Sequence, residues 1–343
     1  MPPTPPAATL DPLTFIAGLV AATFLLVAPW LLPKFVPDFW VSIIAEMLIW
    51  GLFASSANLL LGYTGLLSFG QSLYFGFGAY GVAFAIHNFQ LGVIPAFFIG
   101  VAAATAIAAI AGFFAVRLTW HYFAIITVVF SLIFYLIAVG WKSVTGGDDG
   151  MSFALPPIAQ FGDAELTLLD ATFQYYFILA IVAACFFLQW LLLRSPLGMA
   201  FKAVRENATR AGLIGFNPYL IRLISFIISG LLAGVAGALF ALFSRYASAH
   251  YMYWTVSGDA VIWTIVGGTG TLLGPIVGAA VLTILREELS TVWEHYLIVV
   301  GVIVILMVIF APKGILGSIA AWRTARRAAP GGRNAADGEG TQA

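Results

Sequence analysis

Lys202, Arg205, Glu206 and Arg210 fall within nine positions of a chain in which only 9% of the 343 residues are charged. A cluster of that kind can dock on a partner or rest on an anionic surface. It holds no nucleophile, and no paired acid and base. The other ionisable residues of interest are Glu46 and Asp259, set inside apolar runs, with His87, Arg222, Arg286 and Glu288 nearer run edges. A buried charge is costly and is usually functional or paired. Glu46 faces that penalty unless it has a partner or an aqueous cavity. Asp259, following "YWTVSG", reads as a residue of an outer mouth. No His, Ser or metal-ligand spacing accompanies either carboxylate, so neither catalysis nor a metal or cofactor site is expected. His250, inside "SRYASAHYMYW", reads as part of an interfacial aromatic belt.

A second set of residues concerns backbone rather than charge. "GYTGLLSFG" holds Gly62, Gly65 and Gly70, followed by Gln71, and "GGTGTLLGP" holds Gly267, Gly268, Gly270, Gly274 and Pro275. Helices broken within a bilayer must satisfy their freed backbone groups against protein or water. In transporters such breaks often line a solute path. The alternative is close helix packing through small residues. That suits the G-x-x-x-G spacings Gly230/Gly234 and Gly270/Gly274/Gly278. For 62–71 both readings stay open. The echo G-x-T-G at 62–65 and 267–270 hints at an internal repeat, though not an inverted one.

These residues must be carried by membrane helices. The chain is 62% hydrophobic with 29 Phe and 10 Trp, and its mean hydropathy is +1.00. A soluble surface cannot be built from that composition. Apolar runs predict spans near 13–32, 40–61, 71–88, 91–116, 120–140, 171–193, 218–243 and 294–312, with two shorter pieces at 259–267 and 273–289. The result is about ten helical segments, some broken or re-entrant. No sheet is expected, since the runs lack strand alternation. Fifteen basic and fifteen acidic residues cancel, but their placement does not. Arg194, Lys202, Arg205, Arg210 and Arg222 put 194–217 in the cytoplasm, and Lys313, Arg323, Arg326, Arg327 and Arg333 put the C-terminal tail there too. Lys142 against Asp148, Asp149, Asp163, Glu165 and Asp170 puts 141–170 outside. Alternate crossings then leave both termini cytoplasmic. The ends, 1–12 and 322–343, read as disordered, the latter within a cytoplasmic tail over 318–343, and the lone Cys185 can form no disulfide within the chain.

Within the charged stretch, Ser195 and Pro196 suit a helix start, and Gly212 and Gly215 a helix end. Phe201, Val204, Ala208 and Ala211 share one face, while Lys202, Arg205, Glu206 and Thr209 share another. One short amphipathic helix over 195–215 is predicted. It either rests on anionic lipid or docks a cytosolic partner.

Six blocks, in order from about residue 40 to 317, resemble the permease family that serves branched-chain amino acid ABC importers. They are "NLLLGYTGLLSFGQSLYFGFGAY", "YFAIITVVFSLI", "TGGDDGM", "SPLGMAFKAVRENATRAGLIGFNPYLIRLISFIISGLLAGVAGALFAL", "IVGGTGTLLGPIVGAAV" and "IFAPKGILG". The longer acidic loop with TGG resembles the M-type (LivM) permease. The resemblance implies an all-α polytopic membrane protein with the ABC-importer permease fold, over 13–317. It implies two cytosolic ATPase subunits, a sister permease, an extracytoplasmic substrate-binding protein and an inner-membrane location, with no nucleic acid as partner. Phe201, Lys202, Arg205, Glu206, Asn207, Arg210 and Gly215 would couple to the ATPase. Gly62, Gly65, Gly70, Gln71, Gly267, Gly268 and Gly270 would line the path. The chain itself contains no G-x-x-x-x-G-K-[ST], so an ATP-driven process needs another chain to hold the nucleotide. The rival readings are a stand-alone secondary transporter, disfavoured by the scarcity of intramembrane carboxylates, and a membrane enzyme or scaffold, disfavoured by the lack of a catalytic set.

Overall fold

The computed structural model describes residues 23–31, 39–118, 120–161, 164–311 and 314–318. The start of the first expected span and both tails lie outside these residues. The described part of that span, 23–31, is helical (α1). Each of the other nine expected segments is a helix. They are α2 (Phe39–Asn58), α3 (Gln71–Phe89), α4 (Val93–Ala115), α5 (Trp120–Gly140), then after the short α6 (Lys142–Thr145) α7 (Ala171–Arg194). After α8 (Pro196–Glu206) and α9 (Ala208–Leu213) follow α10 (Pro218–Ser244), α11 (Trp254–Gly267), α12 (Gly274–Val292) and α13 (Tyr296–Phe310). Six helices are long and apolar enough to cross a membrane: Phe39–Thr64, Val93–Ala115, His121–Gly140, Ala171–Arg194, Pro218–Ser244 and Tyr296–Ser318. The architecture is all-α and polytopic.

Three details differ from expectation. First, the 195–215 stretch is two helices. Asn207 leaves the helix for an extended conformation (φ −160°, ψ 103°), and its Oδ1 accepts from the Arg210 N–H at 2.9 Å, starting α9. Asparagine trades helix interior for cap readily. Ser195 precedes Pro196 as expected, but its hydroxyl donates back to Leu192 O (2.6 Å) rather than capping α8. Second, α11 starts five residues before 259. The polar residues that interrupt the apolar run there are helical, because Ser257 finds a partner inside the bundle. Third, short antiparallel pairs occur in the loops: Met151–Ser152 (β1) with Tyr246–Ala247 (β4), and Ala159–Phe161 (β2) with Ala164–Leu166 (β3). They give the 141–170 loop a fixed shape that helix periodicity does not foresee.

The 141–170 loop and the α8–α9 segment flank α7, so they lie at opposite ends of a 24-residue helix. At the bundle centre, α10 packs on α3 and α4 through small residues. A Cβ on Gly78 would overlap the Gly234 carbonyl, one on Gly237 the Phe75 carbonyl, and one on Gly230 the Ala108 Cβ. Gly267, Gly274 and Gly278 close α11 onto α12 in the same way. Lipid tails are as apolar as the helices, so close van der Waals contact holds such a bundle together. Helices α2 and α11 run parallel. Trp50 meets Trp263 with centroids 5.3 Å apart, Thr264 Oγ1 donates to Ala54 O (2.9 Å), and Asn58 meets Gly270, so the numbers rise together.

Gly237→Ala is expected to lower the stability of the detergent-purified protein by about 1–3 kcal/mol, the cost of overpacking. Gly301→Ala, in α13 where a Cβ meets nothing within 4 Å, should be neutral or mildly stabilising. Thermal unfolding of the two variants side by side checks the contrast.

Candidate functional site

Helix α2 does not stop cleanly. Its last turns, Leu59–Thr64, widen into a π-helix, closed by Gly65 in the left-handed region (φ 76°). π-turns are uncommon and concentrate at functional positions. Helix α11 is closed at Gly268 (φ 124°), and Gly270 is left-handed at φ 77°. In both G-x-T-G copies the fourth residue, Gly65 or Gly270, thus has nearly the same positive φ, one that L side chains rarely take.

The two breaks clasp each other. Asn58 Nδ2 donates to Thr271 O (2.8 Å), while Asn58 Oδ1 accepts from Gly270 N–H (2.9 Å). One buried carboxamide thus satisfies a donor and an acceptor of the second break. Gly62 is pressed against this bridge. A Cβ there would run into Asn58 Oδ1 and the Gly270 backbone nitrogen.

The charged segment sits directly on the clasp. Phe201 is fully buried and anchors α8, with Val204 and Ala200 beside it. The Arg205 side chain is partly exposed, but its Nη1 donates to Gly62 O, and its stem packs against Gly65. Lys202 Nζ lies 5.9 Å above the Tyr63 ring. Lys202, Arg205 and Glu206 line a cleft of about 390 Å³ with Gly62, Tyr63 and Gly270. Asn207 and Arg210 are exposed at the α8–α9 junction, and Gly215 is exposed and left-handed (φ 95°). So two groups of residues separated by sequence, the charged helix and both glycine breaks, form one site at one end of the bundle. The sequence assigns Gly62, Gly65 and Gly270 to a path and Arg205 to ATPase coupling. The fold joins the two groups by seating Arg205 Nη1 on the Gly62 carbonyl, while the rest of the side chain stays partly exposed. Gly267 and Gly268 pack against Gly274 and Gly314. Sequence reasoning missed Asn58 altogether. A carboxamide four before Gly62, in a run whose other polar residues are the small Ser55 and Ser56, was the available signal.

Gly70 and Gln71 lie elsewhere. Residues 65–70 lead back into the bundle, so α3 starts deep inside it. Gln71 is fully buried, beside Ser56 and near Ser229 at the middle of α10. Ser56 Oγ donates to Phe53 O (2.6 Å) and Ser229 Oγ to Ser56 O (2.6 Å). Each hydroxyl has one proton, and both are committed. Their oxygens, 3.4 and 3.3 Å from the Gln71 carboxamide, can only accept. This proton accounting turns the Gln71 NH₂ toward the serines and its carbonyl oxygen away. In either orientation one end of the amide is buried without a hydrogen-bond partner. Next to it, Ser72 Oγ meets Ser131 Oγ (3.2 Å) and Ser257 Oγ (2.8 Å), and Phe69 N–H donates to Thr127 Oγ1 (3.1 Å). A belt of hydroxyls and one carboxamide therefore crosses the middle of the bundle.

Residues 39–311 match the family model described as "Branched-chain amino acid transport system / permease component". The chain belongs to this family. The permease is 29% identical over 296 residues to the high-affinity branched-chain amino acid transport system permease protein LivM of Escherichia coli K12, covering 80% of this chain and 69% of that one. It is 29% identical over 157 residues to LivH of the same organism, covering 45% and 49%. It is 32% identical over 125 residues to the galactofuranose transporter permease protein YtfT, also of Escherichia coli K12, covering 36% and 35%. No solved structure matches the permease. It is a multi-pass membrane protein of a transporter family, not of an enzyme family.

Gly62→Ala is expected to open the clasp and cost about 1–3 kcal/mol, since a buried backbone N–H and C=O lose their shared partner. Asn58→Leu should cost a similar amount. The two losses should not add, because they remove one interaction. A double-mutant cycle on the thermal unfolding of the purified permease reads this directly.

Proposed function

We propose that this permease is the membrane subunit of an ATP-driven importer of branched-chain amino acids or related small polar solutes. The observation that carries the reading is the joining of the charged segment to both helix breaks through Arg205, Gly62 and Asn58. A rigid-body push on α8 from the cytosol would reach α2 and α11 at once. The chain has no phosphate-binding loop of its own, so the push comes from separate cytosolic ATPase subunits, two per complex. A sister permease and an extracytoplasmic binding protein complete the assembly. The complex sits in the inner membrane, with 194–217 and both termini cytoplasmic and 141–170 outside. Transport is by alternating access, with the Gln71 hydroxyl belt on the solute path.

On this reading labour is divided within the coupling segment. Arg205 faces the clasp and transmits. The ATPase-facing surface is α9 and its exit, where Arg210 is exposed and Leu213 and Ile214 are 84% and 68% exposed. Large apolar side chains that open to water beside a positive charge fit a protein groove better than bulk solvent.

Ile214→Asp is therefore expected to reduce co-purification of the ATPase subunits by at least about tenfold, with membrane insertion intact. Arg205→Gln should leave co-purification unchanged while ATP hydrolysis continues and uptake falls. Unchanged uptake in both variants would return the segment to a lipid-surface role. Gln71→Leu strands no donor, since both serines already donate elsewhere, so thermal stability should hold within about 1 kcal/mol. Uptake into proteoliposomes should fall at least about tenfold if Gln71 faces the path. Normal uptake would remove Gln71 from it.

A further inference from the structure

Asp259 on α11 and Arg286 on α12 form an ion pair, Nη2 to Oδ2 at 3.6 Å. Neither charge belongs to the clasp or to the hydroxyl belt. Asp259 lies near the middle of the bundle, and Arg286 is twelve residues, about 18 Å, along α12 from Gly274. Asp259 is eight residues from Gly267, about 12 Å of helix from the charged end of the bundle. Two residues before it, Ser257 bonds Ser72 in the buried hydroxyl belt. Asp259 therefore points to nearly the opposite face of α11 from Ser257.

That face is open. The side chains of Asp259 and Arg286 are 39% and 43% exposed, and Ile262, one turn along α11 from Asp259, is exposed as well. An open ion pair at this depth cannot face acyl chains, because intramembrane charges face a bundle interior or a water-filled cavity. A single Nη2–Oδ2 contact also leaves the other carboxylate oxygen and most guanidinium N–H groups available. The pair thus presents a cation and an anion side by side on a face that water or solute must reach.

We infer that Asp259 and Arg286 form a binding site for a zwitterionic solute, with Arg286 taking its carboxylate and Asp259 its ammonium group. Guanidinium matches carboxylate in a planar fork, and a carboxylate accepts from an ammonium. The solute inserts by replacing the loose internal pair with two external ones, so the charge balance of the face does not change. This rests on the importer reading and gives it a polar site of defined polarity.

A charge swap separates this role from a structural one. Asp259→Arg with Arg286→Asp keeps an ion pair but reverses its direction, whereas Asp259→Asn and Arg286→Gln each break it. All are assayed as the assembled complex with its binding protein in proteoliposomes, reading L-leucine uptake and complex recovery. ATP-dependent uptake by the unaltered complex comes first, and its absence overturns the importer reading and this one together. Each single variant is expected to lose uptake at least about tenfold. The swap should recover assembly to the unaltered level and leave uptake as low as in the single variants. If the swap restores uptake together with assembly, the pair is a structural tie and the binding role is wrong, while the importer reading stands. If neither single variant changes uptake, the binding role is wrong as well.

Discussion

A helix that ends against packed protein leaves N–H and C=O groups that need partners there. This permease ends two such helices against each other. The Asn58 carboxamide, with one donor and one acceptor face, takes a carbonyl and an N–H of the α11–α12 turn. The close contact is possible only because Gly62 has no side chain. Gly62 lies in the last turn of its helix, and its carbonyl accepts from Arg205. Without the Asn58 bridge the Gly270 N–H and the Thr271 carbonyl of the second break would lose their shared partner.

The arrangement gives the bundle a graded character. Around α3, α4 and α10, glycine contacts lock backbone onto backbone, and the core residues there are fully buried. At the clasp, contact is made by hydrogen bonds and by residues in left-handed conformations, which tolerate only discrete rearrangements. Under the proposed coupling, a push on α8 would meet a joint at α2 and α11 and a tightly packed block behind it. Helices α5 and α13, which bury little of their surface within this chain, remain to meet lipid or other subunits.

Polarity is distributed with equal economy. Nearly all hydroxyls in the middle of the bundle pair with one another or with backbone carbonyls. Glu46 accepts from Trp50 Nε1 one turn along α2 (2.9 Å), which answers the desolvation problem posed by a carboxylate in an apolar run. Among the described residues, what stays unpaired stands out against that background: one end of the Gln71 amide, the Tyr80 hydroxyl, Arg222 Nε, and the open side of the Asp259–Arg286 pair.

Composition and the length of apolar runs determined the membrane class and the ten helical segments, because a bilayer allows few ways to bury 62% hydrophobic residues. The charged stretch and the glycine breaks were also legible as special, since both interrupt helix periodicity. Their meeting was not legible. That Arg205 seats on Gly62, and that Gly62 lies against Gly270, depends on contacts spanning 143 and more than 200 residues. No periodicity encodes such contacts. Asn207 shows the same limit on a smaller scale: its propensity is compatible with a helix interior or with a cap, and the break there was decided when α8 packed on the clasp through Phe201 while α9 turned away. Asp259 read as an ordinary residue of an outer mouth because sequence gives distance along a helix but not its depth. Only the Ser72–Ser257 bond, formed between helices 185 residues apart, put it in the middle of the bundle, where a charge must have a use or a partner.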